Sequence, residues 1–197
     1  MTPRRVRLER CARSTRTLCC WRTKLVGRSW ATWSARRAGR TVRLEAVTRA
    51  FRTLSARHDV MIVEGVGGLL VPLTERVTVA DLAQRLGLPL VVVARAGLGT
   101  INHTVLTCRW AHQQRLPVCG VVLNQADRRP LEHMARLVIQ TNPPALRRLT
   151  QMPVMGPLPH LSAASRQSPG ALADWLEAGV GKASLTRLLV CAKVTPQ

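Results

Sequence analysis

Three short segments of this 197-residue chain carry residue types suited to anions or nucleotides. The first is Val63-Glu64-Gly65-Val66-Gly67-Gly68. Glycines behind a carboxylate let the backbone approach a phosphate closely. The carboxylate suits Mg²⁺, which takes oxygen ligands and shares them with substrate phosphates. The same string also describes a tight turn with a solvated Glu64. The second segment is Ala96-Gly97-Leu98-Gly99-Thr100-Ile101-Asn102-His103. It opens a predicted helix, whose free first-turn amides and positive dipole end favour an anion. The plain alternative is a glycine loop with Thr100 as N-cap. His103 reads as a structural hydrogen-bonder rather than a base. The third is Asn124-Gln125, where an amide can read a nucleobase edge by donor–acceptor pairing. No Ser/His/Asp or Cys/His arrangement is apparent, and His58, His112 and His133 receive no role.

These segments are useful only if something holds them together. Leu44, Val47, Phe51 and Leu54 recur at helical spacing, so residues 42–56 are expected to form an amphipathic helix. Asp59 to Val63 is a short apolar run that suits a buried parallel strand ending at Glu64. Thr78 with Asp81 makes a capping-box start for a helix through Leu86, which Gly87 ends. Pro89 to Ala94 is a second buried strand, and a helix follows from Ile101 to about Gln114. Val118 to Leu123 is a third strand. A helix near Leu131–Thr141 is expected to break at Pro143-Pro144. Val154 to Leu158 is a fourth strand, and Ala171 to Ala178 a last helix. Strands alternating with helices define an α/β fold with a parallel sheet and flanking helices. Ligands of such sheets gather beyond the carboxyl ends of the strands, where all three segments fall.

The formal net charge is +20. Residues 1–40 hold 12 Lys or Arg against one acid, Glu9, whereas residues 41–197 hold 18 against 9. The excess is therefore concentrated at one end, which argues against a nucleic-acid partner for the body of the chain. Residues 1–33 show neither helix nor strand period, and Trp21, Trp30 and Trp33 lie among their arginines. Six cysteines without metal-ligand spacing predict reduced thiols and a cytoplasmic protein. No apolar run approaches the ~20 residues of a membrane-spanning helix.

In order and spacing, these blocks resemble dethiobiotin synthetase, a family of P-loop NTPase-like fold. His58-Asp59-Val60-Met61-Ile62-Val63-Glu64-Gly65-Val66-Gly67-Gly68 through Pro72-Leu73 is similar to the family's strand and glycine turn, with Val66 where alanine is usual. Gly97-Leu98-Gly99-Thr100-Ile101-Asn102-His103-Thr104-Val105-Leu106-Thr107 is the most specific piece. Ala80-Asp81-Leu82 with Leu88 to Val93, Gly120 to Asn124 and Gly156-Pro157-Leu158-Pro159 complete the series, so the resemblance covers about residues 35–165. It implies an ATP-dependent ligase of biotin biosynthesis that joins CO₂ to 7,8-diaminopelargonate as a carbamate. ATP phosphorylates the carbamate, and the second amine closes the ring. The resemblance further implies a Mg²⁺ ligand in Glu64 and an ATP site in Glu64, Gly65, Val66, Gly67, Asn124, Gln125, Leu158, Pro159 and His160. Leu98, Gly99, Thr100, Ile101 and Asn102 would hold the substrate carboxylate across a homodimer interface.

The sequence departs from that family in three respects. The phosphate loop G-x-x-x-x-G-K-[ST], whose amides and lysine handle the transferred phosphate, is absent from the 197 residues. No match exists for the family's substrate-loop lysine or its metal Asp, so no catalytic residue is identifiable. The expectation is a partial domain over 34–197 that does not turn over by itself. It is preceded by a non-homologous basic segment, 1–33, that is disordered or read out of frame. Two other readings stay open. One is another P-loop relative, a cobyrinate-type amide ligase or a ParA-like ATPase. The other is a non-catalytic basic fragment whose arm binds nucleic acid.

Overall fold

A computed structural model describes residues 19–22, 42–58, 60–65, 67–125, 133–160, 169–181, 183–184 and 186. The chain divides between Gly87 and Leu88 into two units, each taken by itself.

In the first unit, β1 (Cys19–Arg22) pairs in parallel with β2 (Met61–Glu64), Trp21 in register with Val63 and Arg22 with Glu64. No strand is expected from composition at residues 19–22. A four-residue strand borrows its hydrogen bonds from a neighbour, so its own side-chain pattern says little. α1 (Leu44–Ser55) has the expected apolar spacing, with Leu44 buried. α2 (Val79–Leu86) begins at the foreseen capping box: the Asp81 carboxylate accepts from Thr78 N at 2.6 Å, and Thr78 Oγ1 accepts from Asp81 N at 3.3 Å. Gly87 closes the helix at φ 64°. The loop between β2 and α2 is strapped by Val71 N to Gly68 O, Val79 N to Val71 O and Ala80 N to Leu69 O, at 2.9–3.0 Å.

The second unit holds a parallel sheet in the order β3 (Leu90–Arg95), β4 (Val118–Asn124), β5 (Val154–Leu158). α3 (Thr100–Gln113), α4 (His133–Thr150) and α5 (Pro169–Val180) accompany it. Ala96, Cys108, Val121, Leu123, Ile139, Leu146 and Val154 make one buried cluster. Val121, Leu123 and Leu146 are fully enclosed, and each such side chain contributes roughly 1.5–3 kcal/mol.

Four expectations are corrected. α4 does not stop at Pro143-Pro144 but runs through both to Thr150. The two prolines delete the amides that would bond to Ile139 O and Gln140 O, at a cost of ~3 kcal/mol each. Tertiary contacts offset this, because Ile139 and Leu146 lie in the core on either side of the pair and Asn142 is buried and hydrogen-bonded. The apolar runs of β2 and β3 are not buried on both faces: Ile62, Val91 and Val93 are exposed, Val93 by 67%. Alternate residues point to opposite faces, and only one face of each strand is covered within its unit. The N-cap of α3 is Gly99 rather than Thr100, because φ at Gly99 is 87° and the buried Thr100 hydroxyl turns to Thr104 Oγ1 at 3.3 Å. Finally, Cys119 is disulfide-bonded rather than a reduced thiol. Proximity in the fold makes such a bond, and sequence spacing carries no record of it.

Candidate functional site

The carboxyl ends of β3, β4 and β5 are joined side by side. Arg95 stands in register with Asn124, and Asn124 with Leu158. Beyond the strands the joins continue: Ala96 N donates to Asn124 O at 3.1 Å, and Gln125 N donates to Leu158 O at 2.9 Å. The fold therefore brings the segment Leu98–Asn102 onto one edge with Asn124, Gln125, Leu158, Pro159 and His160.

Each loop on that edge has a local cause. Gly156 sits at φ 87°, and a Cβ there would lie 2.5 Å from Leu123 O, so only glycine lets β5 pass so close to β4. The chain then emerges at Leu158. That side chain is buried, in the packing near Gly179, so Leu158 offers the edge its backbone. Pro159 is exposed and His160 half-buried. Asn124 and Gln125 are half-buried.

At the start of α3, Thr100 N donates to Gly97 O at 3.3 Å and His103 N to Gly99 O at 3.2 Å. The amides of Ile101 and Asn102 belong to the first turn, where a helix has no acceptor of its own to give. Leu98 is 89% exposed. Beside this turn lies a cleft of about 130 Å³ whose lining includes Arg95, Leu98, Thr100, His103, Thr104 and Thr107. Val92, Val93 and Ala94 complete the lining, and the exposed Arg95 guanidinium is a charge on it that suits an anion. Arg95 carries no expectation from the sequence, and Thr104 and Thr107 fall in the most specific block without a role of their own. Arg95 had a usable signal, a cation at a strand end directly before the glycine loop. The structure also brings in Asn142, whose Nδ2 donates to Ala96 O at 2.8 Å and to Gly97 O at 3.3 Å.

Glu64, Gly65 and Gly67 stand at the carboxyl end of β2, in the first unit, while Val66 lies outside the described residues. Glu64 is exposed. Two of the glycines have internal reasons. A Cβ on Gly65 would lie 2.7 Å from Val79 Cγ1, and Gly67 holds φ 77° with its Cβ position 2.8 Å from Val71 Cγ2. Gly68 has neither constraint, with nothing within 4 Å. Among the described residues, no group of three or more His, Cys, Asp or Glu gathers to hold a metal. One exposed carboxylate fits a magnesium ion only if water and phosphate complete its shell.

Parallel strands with flanking helices place the protein in the α/β class, and the family that its sequence matches makes that fold P-loop NTPase-like. Residues 24–168 match the AAA domain family, and the chain belongs to it. The match begins inside the segment 1–33 that composition sets apart. Among curated relatives, the chain is similar to proteins named ATP-dependent dethiobiotin synthetase BioD. With that of Anaeromyxobacter dehalogenans (strain 2CP-C) it shares 59% identity over 92 residues, 47% of this chain and 41% of the relative. With that of Anaeromyxobacter sp. (strain K) it shares 48% over 126 residues, 64% and 54% of the two chains. With that of Bacillus licheniformis it shares 44% over 132 residues, 67% and 54%. The chain thus spans about half the length of the curated relatives it matches. Among the described residues, no helix is long and apolar enough to cross a membrane.

Proposed function

We propose that this chain carries part of an ATP-dependent dethiobiotin synthetase, the ligase that forms dethiobiotin from 7,8-diaminopelargonate and CO₂ in biotin biosynthesis. The observation that carries the reading is the joined edge: Ala96 N to Asn124 O and Gln125 N to Leu158 O bring the anion loop beside the amide pair. The loop Leu98–Asn102 binds the substrate carboxylate through its amides other than that of Thr100, which donates to Gly97 O. Asn124 and Gln125 pair with the adenine edge, and Pro159 covers its face. Glu64 holds Mg²⁺, which would neutralise phosphate charge when bound. The exposed side chain of Leu98 supports a homodimer in which a second copy closes the loop.

Residues 34–197 form a partial domain in this reading, and the 197 residues alone do not turn over, because they contain no G-x-x-x-x-G-K-[ST] string. Loss of one preorganised donor costs ~3–4 kcal/mol in a transition state, and a whole phosphate loop supplies several. Two measurements test this. Calorimetric titration of the chain with 7,8-diaminopelargonate is expected to give saturable binding, and its absence removes the substrate assignment. Incubation with diaminopelargonate, CO₂ and MgATP is expected to yield no dethiobiotin, and product formation refutes the claim of inactivity.

A further inference from the structure

Asn142 combines features that a surface helix residue does not need. It is 5% exposed, precedes two prolines inside α4, and sends its amide across to the loop before α3. Both acceptors are carbonyl oxygens, so the nitrogen must face them. In a trans peptide the C=O and the following N–H lie in one plane and point in opposite directions. Holding Ala96 O and Gly97 O toward Asn142 therefore turns the amides of Gly97 and Leu98 away from it. Gly97 O also accepts from Thr100 N, so the same carbonyl links the side chain of Asn142 to the first turn of α3.

We propose that Asn142 is a positioning residue for the carboxylate loop: its buried amide grips Ala96 O and Gly97 O and thereby aims the Gly97 and Leu98 amides at the bound anion. The inference rests on the carboxylate role given above to Leu98–Asn102. It adds two consequences. The donors extend to Gly97, and the loop's geometry is set from α4, 45 and 46 residues away in sequence.

The test uses the full chain and three variants. Asn142→Asp keeps the size but puts an oxygen against two carbonyls, and Asn142→Ala removes the grip. Leu146→Ala loosens the same helix but removes no hydrogen bond to the loop, so it reports what destabilisation of the shared core does. Affinity for 7,8-diaminopelargonate is read by calorimetry, and amide hydrogen exchange at Leu98–Asn102 by NMR. The expected result is binding at least ~10-fold weaker in both Asn142 variants, the cost of losing one well-aimed donor to a charge. Leu146→Ala should bind within about twofold of the parent chain, and loop exchange should quicken in the Asn142 variants alone. Parental affinity with unchanged loop exchange in Asn142→Asp overturns the proposal, as does an equal loss in Leu146→Ala. If the parent chain binds no diaminopelargonate, the substrate assignment fails, and loop exchange by itself decides whether Asn142 sets the loop. If neither Asn142 variant folds, exchange of the Asn142 side-chain amide protons in the parent chain decides: protection supports the grip, and exchange at the rate of an exposed amide overturns it.

Discussion

Alanine at Gly97 and at Gly99 separates two reasons for glycine in one loop. Gly99 has φ 87°, and its Cβ position meets only the His103 ring, Cε1 at 3.6 Å and Nδ1 at 3.9 Å, ordinary contacts. The cost of Gly99→Ala is therefore conformational, ~1–2 kcal/mol for an L-residue in the left-handed region. Gly97 lies outside that region, with nothing within 4 Å of its Cβ position. Alanine there should stabilise by about 0.4–1 kcal/mol, because it restricts the unfolded chain. For a chain of this size 1 kcal/mol moves Tm by roughly 2–4 °C. Differential scanning fluorimetry should thus show Gly99→Ala melting a few degrees lower and Gly97→Ala at or slightly above the parent chain. Binding should run the other way at Gly97. If the backbone there approaches a carboxylate, the new methyl group costs a charge-assisted hydrogen bond of about 1.5–3 kcal/mol, or ~10-fold or more in Kd for diaminopelargonate. A Gly97→Ala protein that is more stable and binds as before would refute the close-approach reasoning. One that loses as much stability as Gly99→Ala would refute the conformational reasoning.

Further outcomes follow from the packing and the cap. Leu146→Ala should cost about 2–5 kcal/mol, read as a lower urea midpoint with an unchanged slope, since Leu146 has no exposed surface and its cavity cannot collapse freely. Gly65→Ala should destabilise by about 1–3 kcal/mol through the clash with Val79 Cγ1, and a double-mutant cycle with Val79→Ala should recover much of it; simple additivity would rule the clash out. Thr78→Ala should cost about 0.5–2 kcal/mol by removing the cap of α2, measured by denaturant unfolding. The partner carboxylate adds a pH signature. Bonds from the Thr78 backbone amide and hydroxyl hold Asp81 below the usual carboxylate range. Its contribution is complete above the unfolded value of 3.8 and is lost as pH falls through the folded value. The stability gap between the parent chain and Asp81→Asn should therefore be flat near neutrality and close on acidification below about pH 4; a gap that widens on acidification contradicts this assignment.

Much of this protein was legible in its residues. The alternation of apolar runs and periodic segments determined an α/β chain with parallel strands, and Thr78, Asp81 and Gly87 marked both ends of α2 because caps act within one turn. The glycine loop before α3 and the polar residues closing β4 marked the edge proposed for ligands, for the same local reason. Proximity was not legible. That β3, β4 and β5 lie side by side, so that Ala96 meets Asn124 and Gln125 meets Leu158, depends on hydrogen bonds between strands far apart in the chain. Propensity made Pro143-Pro144 a stop, and only the burial of Ile139, Asn142 and Leu146 carries α4 through it. The exposure of Val91 and Val93 likewise depends on what covers a strand, which its own alternation cannot state. Local chemistry sets caps, turns and periods over a few residues. Which loop Asn142 grips is decided by the packing of α4 beside α3, where a hydrogen bond between residues 46 apart has no signature in the residues between them.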